Sequence, residues 1–257
     1  MAIGLAGLIA FAAWRARSLS GSGALAAALV GALTFTASPA WGAYLVAWFV
    51  LTSALSRLGT ARKARHVGAV VEKGGRRDAW QVLANGGVFA ALAFASTAGT
   101  LHSTPLAASA VAALAAAGAD TWATEIGTWW RAGAWSLRTG GRVPAGTSGA
   151  ITWPGSLALC AGAVVWSGVA LLLGLIPRHA LGLVAVGAML GAWLDTLVGA
   201  WLQCRRHCPT CHSATERRVH DCGTLTVHAG GFAWLGNDAV NALATVGGAA
   251  ATWWLVR

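Results

Sequence analysis

Long apolar stretches and short, arginine-bearing polar segments alternate along the whole chain of 257 residues. Their lengths predict up to eight membrane helices, over residues 2–14, 23–37, 40–56, 80–98, 104–127, 150–176, 180–203 and 230–255. A helix needs about 20 apolar residues to cross a bilayer, so the first stretch is short for a crossing. The expected fold is an all-α transmembrane bundle of about seven to eight spans, one integral-membrane domain over residues 1–257. Its loops fall at about 57–79, 128–149 and 204–229, the last carrying a small Cys/His cluster.

Composition narrows the class. The chain is 56% hydrophobic and 10% charged, whereas a soluble domain is roughly a quarter charged. So many apolar helices could not hide inside a polar shell of this chain. No positive charge precedes the first apolar run, which argues against a cleaved signal peptide.

Net charge is +10, and its distribution carries the meaning. Of the 18 Lys and Arg residues, 16 lie in loops that the span pattern places on one face, and only Arg178 and Arg257 lie on the other. Positive residues stay on the cytoplasmic side. Both termini then lie outside, and the site described below faces the cytoplasm of a multi-pass protein, expected in a bacterial or archaeal inner membrane. The basic excess is therefore chiefly a topology signal, and no nucleic-acid partner is expected. One loop, "RLGTARKARHVGAVVEKGGRRDAW", is basic enough to meet lipid headgroups or nucleotide phosphates as well. Small residues four apart, Ala27 with Gly31 and Gly187 with Gly191, would let helices approach closely. A homo-oligomer stays open. Trp80, Trp129, Trp130, Trp135, Trp153 and Trp201 cluster near the cytoplasmic interface, where such rings anchor.

Four acids fall within the spans: Asp120, Glu125, Asp195 and Asp238. An ionised group there costs roughly 2.5–3.5 kcal/mol on insertion scales, so such groups tend to be functional. Counted from the span ends at about 1.5 Å per residue, Asn85, Asp120, Asp195 and Asp238 share a layer roughly 8–12 Å below the cytoplasmic surface. Asp120 and Thr124 share a helix face, as do Thr121 with Glu125 and Asn237 with Asn241. Gly187, Gly191, Asp195 and Gly199 form one stripe. Asp, Asn and Thr oxygens suit Mg²⁺, which is usually held by one or two carboxylates plus substrate phosphates.

Two loops add chemistry. "GGRVPAGTSG", residues 140–149, brings glycines, Arg142, Gly146, Thr147 and Ser148 just ahead of a helix start. Backbone N–H groups in such a loop can turn toward an anion. It lacks the lysine and spacing of a P-loop. "QCRRHCPTCHSATERRVHDCGTLTVH" holds a C-P-x-C knuckle followed by His220 and Cys222. Cys208, Cys211, His220 and Cys222 would form a closed structural zinc site, with Cys204 as a rival ligand. Cys160, alone in a span, is expected to be a packing residue.

The motifs "KGGRRDAWQVLANGG", "ADTWATEIG", "RVPAGTSGAITWPGSLA", "LDTLVGAWLQ", "CPTC…HDCG" and "WLGNDAVN" resemble, in order, the integral-membrane family that includes plastid phytyl-phosphate kinase. The resemblance runs from about residue 57 to the last span, with the first two spans matching in hydropathy alone. The family is distantly similar to dolichol kinase. It implies a kinase passing phosphate from a nucleoside triphosphate, CTP or ATP, to an isoprenoid monophosphate such as phytyl or geranylgeranyl phosphate. Asp120, Asp195 and Asp238 would hold Mg²⁺ beside Glu125. The 140–149 loop and Thr121 would meet nucleotide phosphates. Lys73, Arg76 and Arg142 would balance charge, and Asn85, Asn237 and Asn241 would orient oxygens. Two rivals share these residues. One is a CTP-dependent cytidylyltransferase or another lipid phosphotransferase. The other is a cation transporter, although the outer half of every span is nearly bare of polar groups.

Overall fold

The computed structural model describes residues 1–58, 76–98, 104–129 and 133–257. Lys73, with most of its basic loop, and Trp130 and Arg131 lie outside these residues. Eight long helices appear among them: α1 (Ala2–Arg15), α2 (Gly21–Ala37), α3 (Pro39–Arg57), α4 (Ala79–Ala98), α5 (Thr104–Gly127), α6 (Trp153–Leu172), α7 (Leu181–Trp201) and α8 (Asn237–Val256). The helices α3 to α8 are long and apolar enough to span a bilayer, whereas α1 and α2 are apolar but shorter, at 14 and 17 residues. A multi-pass helical membrane protein is thus the architecture.

The helix starts follow local chemistry. Ser20 caps α2, Ser38 caps α3 just ahead of Pro39, and Thr152 caps α6, each accepting from a backbone N–H three residues on. The start of α4 is a reciprocal capping box. Asp78 Oδ1 accepts from Gln81 N at 3.0 Å, and Gln81 Oε1 accepts from Asp78 N at 3.1 Å.

Helix α5 is the hub. It packs on α3, α4, α6, α7 and α8, and every residue from Ala108 to Ala119 is buried. Small side chains line that interior, while large apolar ones face outward: Leu25 is 77% exposed and Leu172 87%. In water that arrangement would be inverted. In lipid it is expected, because close backbone approach rather than hydrophobic burial holds such helices together. The glycine stripe on α7 does this work. A Cβ at Gly191 would lie 2.7 Å from Ala244 O on α8, and one at Gly187 would collide with Thr252. Gly31 likewise meets Ala6 of α1, where a Cβ would stand 3.1 Å from Ala6 Cβ. Hydrogen bonds between helices add specificity, from Tyr44 Oη to Trp166 O at 3.2 Å and from Thr245 Oγ1 to Ala84 O at 3.0 Å.

Among the described residues two small antiparallel sheets interrupt the helical pattern, within the expected loops except at their ends; Ala150–Ile151 falls inside the span expected from 150, whose helix starts at Trp153. The first, ordered β2-β1-β3, joins β1 (Ala134–Ser136), β2 (Arg142–Val143) and β3 (Ala150–Ile151). The second, ordered β5-β4-β6, joins β4 (Arg205–Cys208), β5 (Ser213–Thr215) and β6 (Val227–Gly230). The second sheet moves one boundary. Because β6 and the turn after it occupy the residues from 227 onward, the last helix begins at Asn237 and not at 230.

Candidate functional site

At the arginine-rich end of the bundle a cavity of about 690 Å³ opens among six helix ends and two loops. The end of α3 gives Ser53 and Arg57, the start of α4 gives Gln81 and Asn85, and the last turns of α5 give Asp120, Thr121, Thr124 and Glu125. Asp195 comes from α7, and Asn237 and Asn241 come from α8. Gly146, Thr147 and Ser148 close one side, and Arg76 and Arg77 another. Eleven residues singled out from sequence therefore line one cavity: Arg76, Asn85, Asp120, Thr121, Glu125, Gly146, Thr147, Ser148, Asp195, Asn237 and Asn241.

Three others do not. Lys73 lies outside the described residues. Arg142 is exposed on β2, its guanidinium 5.7 Å from the Trp135 ring centre and away from the cavity. Asp238 sits in the first turn of α8 and is not among the cavity-lining residues. Its expected depth rested on a helix starting at 230, and the later start removes that argument.

Asp120 and Asp195 both line the cavity, and Glu216 joins them there. Glu216 is a residue that sequence reasoning missed. It follows β5 directly and accepts a short hydrogen bond from Ser148 Oγ, so the Cys/His loop and the glycine loop meet over the cavity. Its one sequence signal is that it is the sole acid between Cys211 and His220. Spacing alone could not show that the strand delivers it back to the bundle. Arg217 and Gln203 line the cavity for the same reason.

Arg77 is anchored firmly. Its backbone pairs with the α1–α2 turn through Ser18 O and Ser20 N, both at 3.0 Å. Its guanidinium donates to Ser53 Oγ at 3.0 Å and lies over Phe49 and Trp48. Burial lowers its pKa to about 10, with Arg57 acting in the same direction, so it remains a cation at neutral pH. Arg57 in turn donates to Ala16 O at 2.8 Å and Ser18 Oγ at 2.6 Å, tying α3 to the α1–α2 turn.

The glycine loop is shaped by its sheet and by α7. Thr147 Oγ1 donates to Pro144 O at 2.8 Å, and Ala150 N to Thr147 O at 3.1 Å. Gly149 has φ +71°, and a Cβ there would stand 2.2 Å from Ala200 Cα. Gly149→Ala combines left-handed strain with overpacking, at a cost of about 3 kcal/mol. The expected result is a fall in melting temperature of roughly 5 °C or more in detergent. An unchanged melting curve would mean that the loop does not dock on α7.

The Cys/His cluster closes as sequence spacing suggested. One ligand atom from each of Cys208, Cys211, His220 and Cys222 lies within 4.8 Å of every other. Ligand atoms around a tetrahedral zinc sit roughly 3.8 Å apart, so the set fits such an ion. Cys204 is outside it, buried just ahead of β4 with its N–H on Leu235 O at 2.8 Å. Cys211 N donates to Cys208 Sγ at 3.4 Å, the knuckle geometry. Ser213 Oγ lies 3.2 Å from His220 Nε2, which leaves Nδ1 on the side of Cys222 Sγ, 3.2 Å away. That is an outer partner orienting a ligand. Side-chain hydrogen bonds with Thr224 and then His220 lower the Cys222 thiol to about 6, favouring the thiolate that binds metal. Among the described residues no other group of three or more His, Cys, Asp or Glu converges as a candidate metal site.

A family model described as "Integral membrane protein DUF92" matches residues 4–249. The match takes in α1 and α2, which extends the resemblance beyond the stretch from residue 57 on which the motifs rest. A plant relative, "Protein PGR" of Arabidopsis thaliana, is 28% identical over 263 aligned positions, covering 93% of this chain and 90% of its own. No solved structure matches the chain.

Proposed function

The chain belongs to the DUF92 family of integral membrane proteins, and on that premise we propose that it is an isoprenoid-phosphate kinase. It would pass the terminal phosphate of a nucleoside triphosphate, CTP or ATP, to a prenyl monophosphate such as phytyl or geranylgeranyl phosphate. The observation carrying this reading is the single cavity that gathers arginines, a glycine loop and two intramembrane carboxylates at one end of a membrane bundle. Such a set suits two phosphate compounds, one of which is a lipid.

In the proposed reaction an oxygen of the prenyl phosphate attacks the terminal phosphorus of the triphosphate. A new P–O bond forms, the bond to the leaving diphosphate oxygen breaks, and the products are prenyl diphosphate and nucleoside diphosphate. The acceptor oxygen is already anionic, so the protein needs to position and neutralise more than to abstract a proton. Arg57, Arg76 and Arg77 would hold the lipid phosphate. Gly146, Thr147 and Ser148 would cradle the nucleotide phosphates near the N-terminus of α6. Asp120 and Asp195, with Asn237 and Asn241 nearby, provide the hard oxygen donors that Mg²⁺ takes, and bound there the ion would neutralise phosphate charge. Two facing carboxylates plus phosphate oxygens match that preference without needing Asp238. Transport receives less support, because the hub helix from Ala108 to Ala119 is buried and carries no polar side chain except Ser109. The cavity would face the cytoplasm of a bacterial or archaeal inner membrane, since the arginine-rich end holds it.

The direct test supplies purified protein in lipid nanodiscs with Mg²⁺, terminally labelled CTP or ATP, and phytyl, geranylgeranyl or farnesyl monophosphate. Labelled prenyl diphosphate is the expected product. Release of pyrophosphate or CMP instead would assign a cytidylyl or headgroup transfer, and no lipid product from folded protein would reject both.

A further inference from the structure

A second, apolar crevice lies between the first four helices. Its walls include Ala10 of α1, Val30 of α2, Val46 and Phe49 of α3 and Val82 of α4. Three polar side chains stand at its inner end, Arg77, Gln81 and Asn85, and the same three line the large polar cavity. The two spaces therefore share one junction, with a fixed cation on it. We infer that this crevice seats the hydrocarbon tail of the lipid phosphate, its phosphate lying at the junction.

The inference rests on the proposed lipid-phosphate reading and deepens it by assigning each substrate a side. A nucleotide base in the crevice would bury its polar edges among alkyl groups, and an unpaired polar group there costs kilocalories. A prenyl chain has no such edges. The glycine loop and Glu216 stand away from the crevice, where the nucleotide would bind. The crevice also ends in a definite floor. Phe35 packs onto Gly42, where a Cβ would stand 2.2 Å from its ring. Beyond that point the rings of Trp41 and Tyr44 each lie 5.8 Å from Phe89 and join α3 to α4. Along α2 from Ala27 to Phe35 this gives a depth of about 12 Å, and with a volume of about 70 Å³ the crevice is narrow, suited to the one isoprene unit nearest the phosphate. The rest of a long tail would pass out between helices. Ile3, Leu8 and Phe11 on the exposed face of α1 show that bulk lipid is one helix away.

The test uses the full-length protein in nanodiscs and a geranylgeranyl monophosphate carrying a diazirine on the unit nearest the phosphate. After illumination, peptide mapping should place the label on Ile9, Val46, Phe49 or Val82. Excess unlabelled geranylgeranyl phosphate should suppress it, and added phosphatidylcholine should not. Val46→Trp fills the crevice and should cut labelling about tenfold, in line with an overpacking cost near 1.4 kcal/mol. Leu190→Trp, on the lipid-facing side of α7, should leave it unchanged. Competition-sensitive labels in the crevice without phosphoryl transfer would keep the tail site and overturn the kinase. Transfer with labels on other helices, or labels that ignore the competitor, would overturn the crevice.

Discussion

Asp195→Asn is expected to abolish phosphoryl transfer while leaving the protein at least as stable as the parent. The side chains have the same shape, so packing against the glycine stripe of α7 is preserved. The charge is what changes. A carboxylate in the span costs roughly 2.5–3.5 kcal/mol to insert, and here it shares the cavity with two other acids, Asp120 and Glu216. Removing it relieves both terms, so the melting temperature should hold or rise. Catalysis should fall because a metal-ion clamp on transferring phosphate is worth several kcal/mol. A loss of about 4 kcal/mol corresponds to about a thousandfold in rate. The measurement is paired: initial rate of prenyl diphosphate formation, and thermal unfolding in the same detergent. If the variant unfolds earlier and works at the parental rate, Asp195 is a structural residue and the catalytic reading fails. Asp120→Asn should behave alike, and the double variant should be little worse than either single one.

Removing the cysteine-bound metal is the second large effect. The four ligands lie in a loop outside the membrane helices, yet the segment between Cys211 and His220 carries Glu216 and Arg217 into the cavity. A metal holding both ends of that short segment fixes where Glu216 meets Ser148. Purified without chelator at neutral pH, the protein should contain one zinc per chain. Cys222→Ser should release it and lower activity by about a hundredfold, comparable to the loss when groups supporting a metal site are removed. Glu216→Gln should keep the zinc and still lose activity. That pair separates the metal's support of the fold from its delivery of a side chain. Full activity in zinc-free protein would show that the loop is a bystander.

The helices were legible because lipid demands long apolar runs, and the arginines of the loops fixed which ends belong together. The intramembrane acids Asp120 and Asp195 stood out for the same reason, being costly anywhere except in a site. The depth expected for Asp238 was too great because apolarity continues from Gly230 through Trp234, and hydropathy alone does not reveal that β6 and a turn occupy those residues. Arg142 looked like a phosphate ligand from its glycines, but the pairing of β1 with β2 turns it toward Trp135. Glu216 was invisible because its importance comes from a strand register, Arg206 opposite Thr215, which spacing does not encode. Arg77 is one basic residue among several in its loop by sequence, and what sets it apart is the pairing of its backbone with the α1–α2 turn.

The hub helix has a consequence for how the protein is made. α5 is rich in alanine and is less apolar than α6 or α7. Alone it prefers lipid less than they do, and the two carboxylates in its last turns weaken that further. Three of its five partners, α6, α7 and α8, are synthesised after it. Its lasting place in the bilayer is therefore settled only once those later helices arrive to surround it. A ribosome stalled within α6 should leave α5 accessible to aqueous thiol reagents at an introduced cysteine, and completion of α8 should shield it.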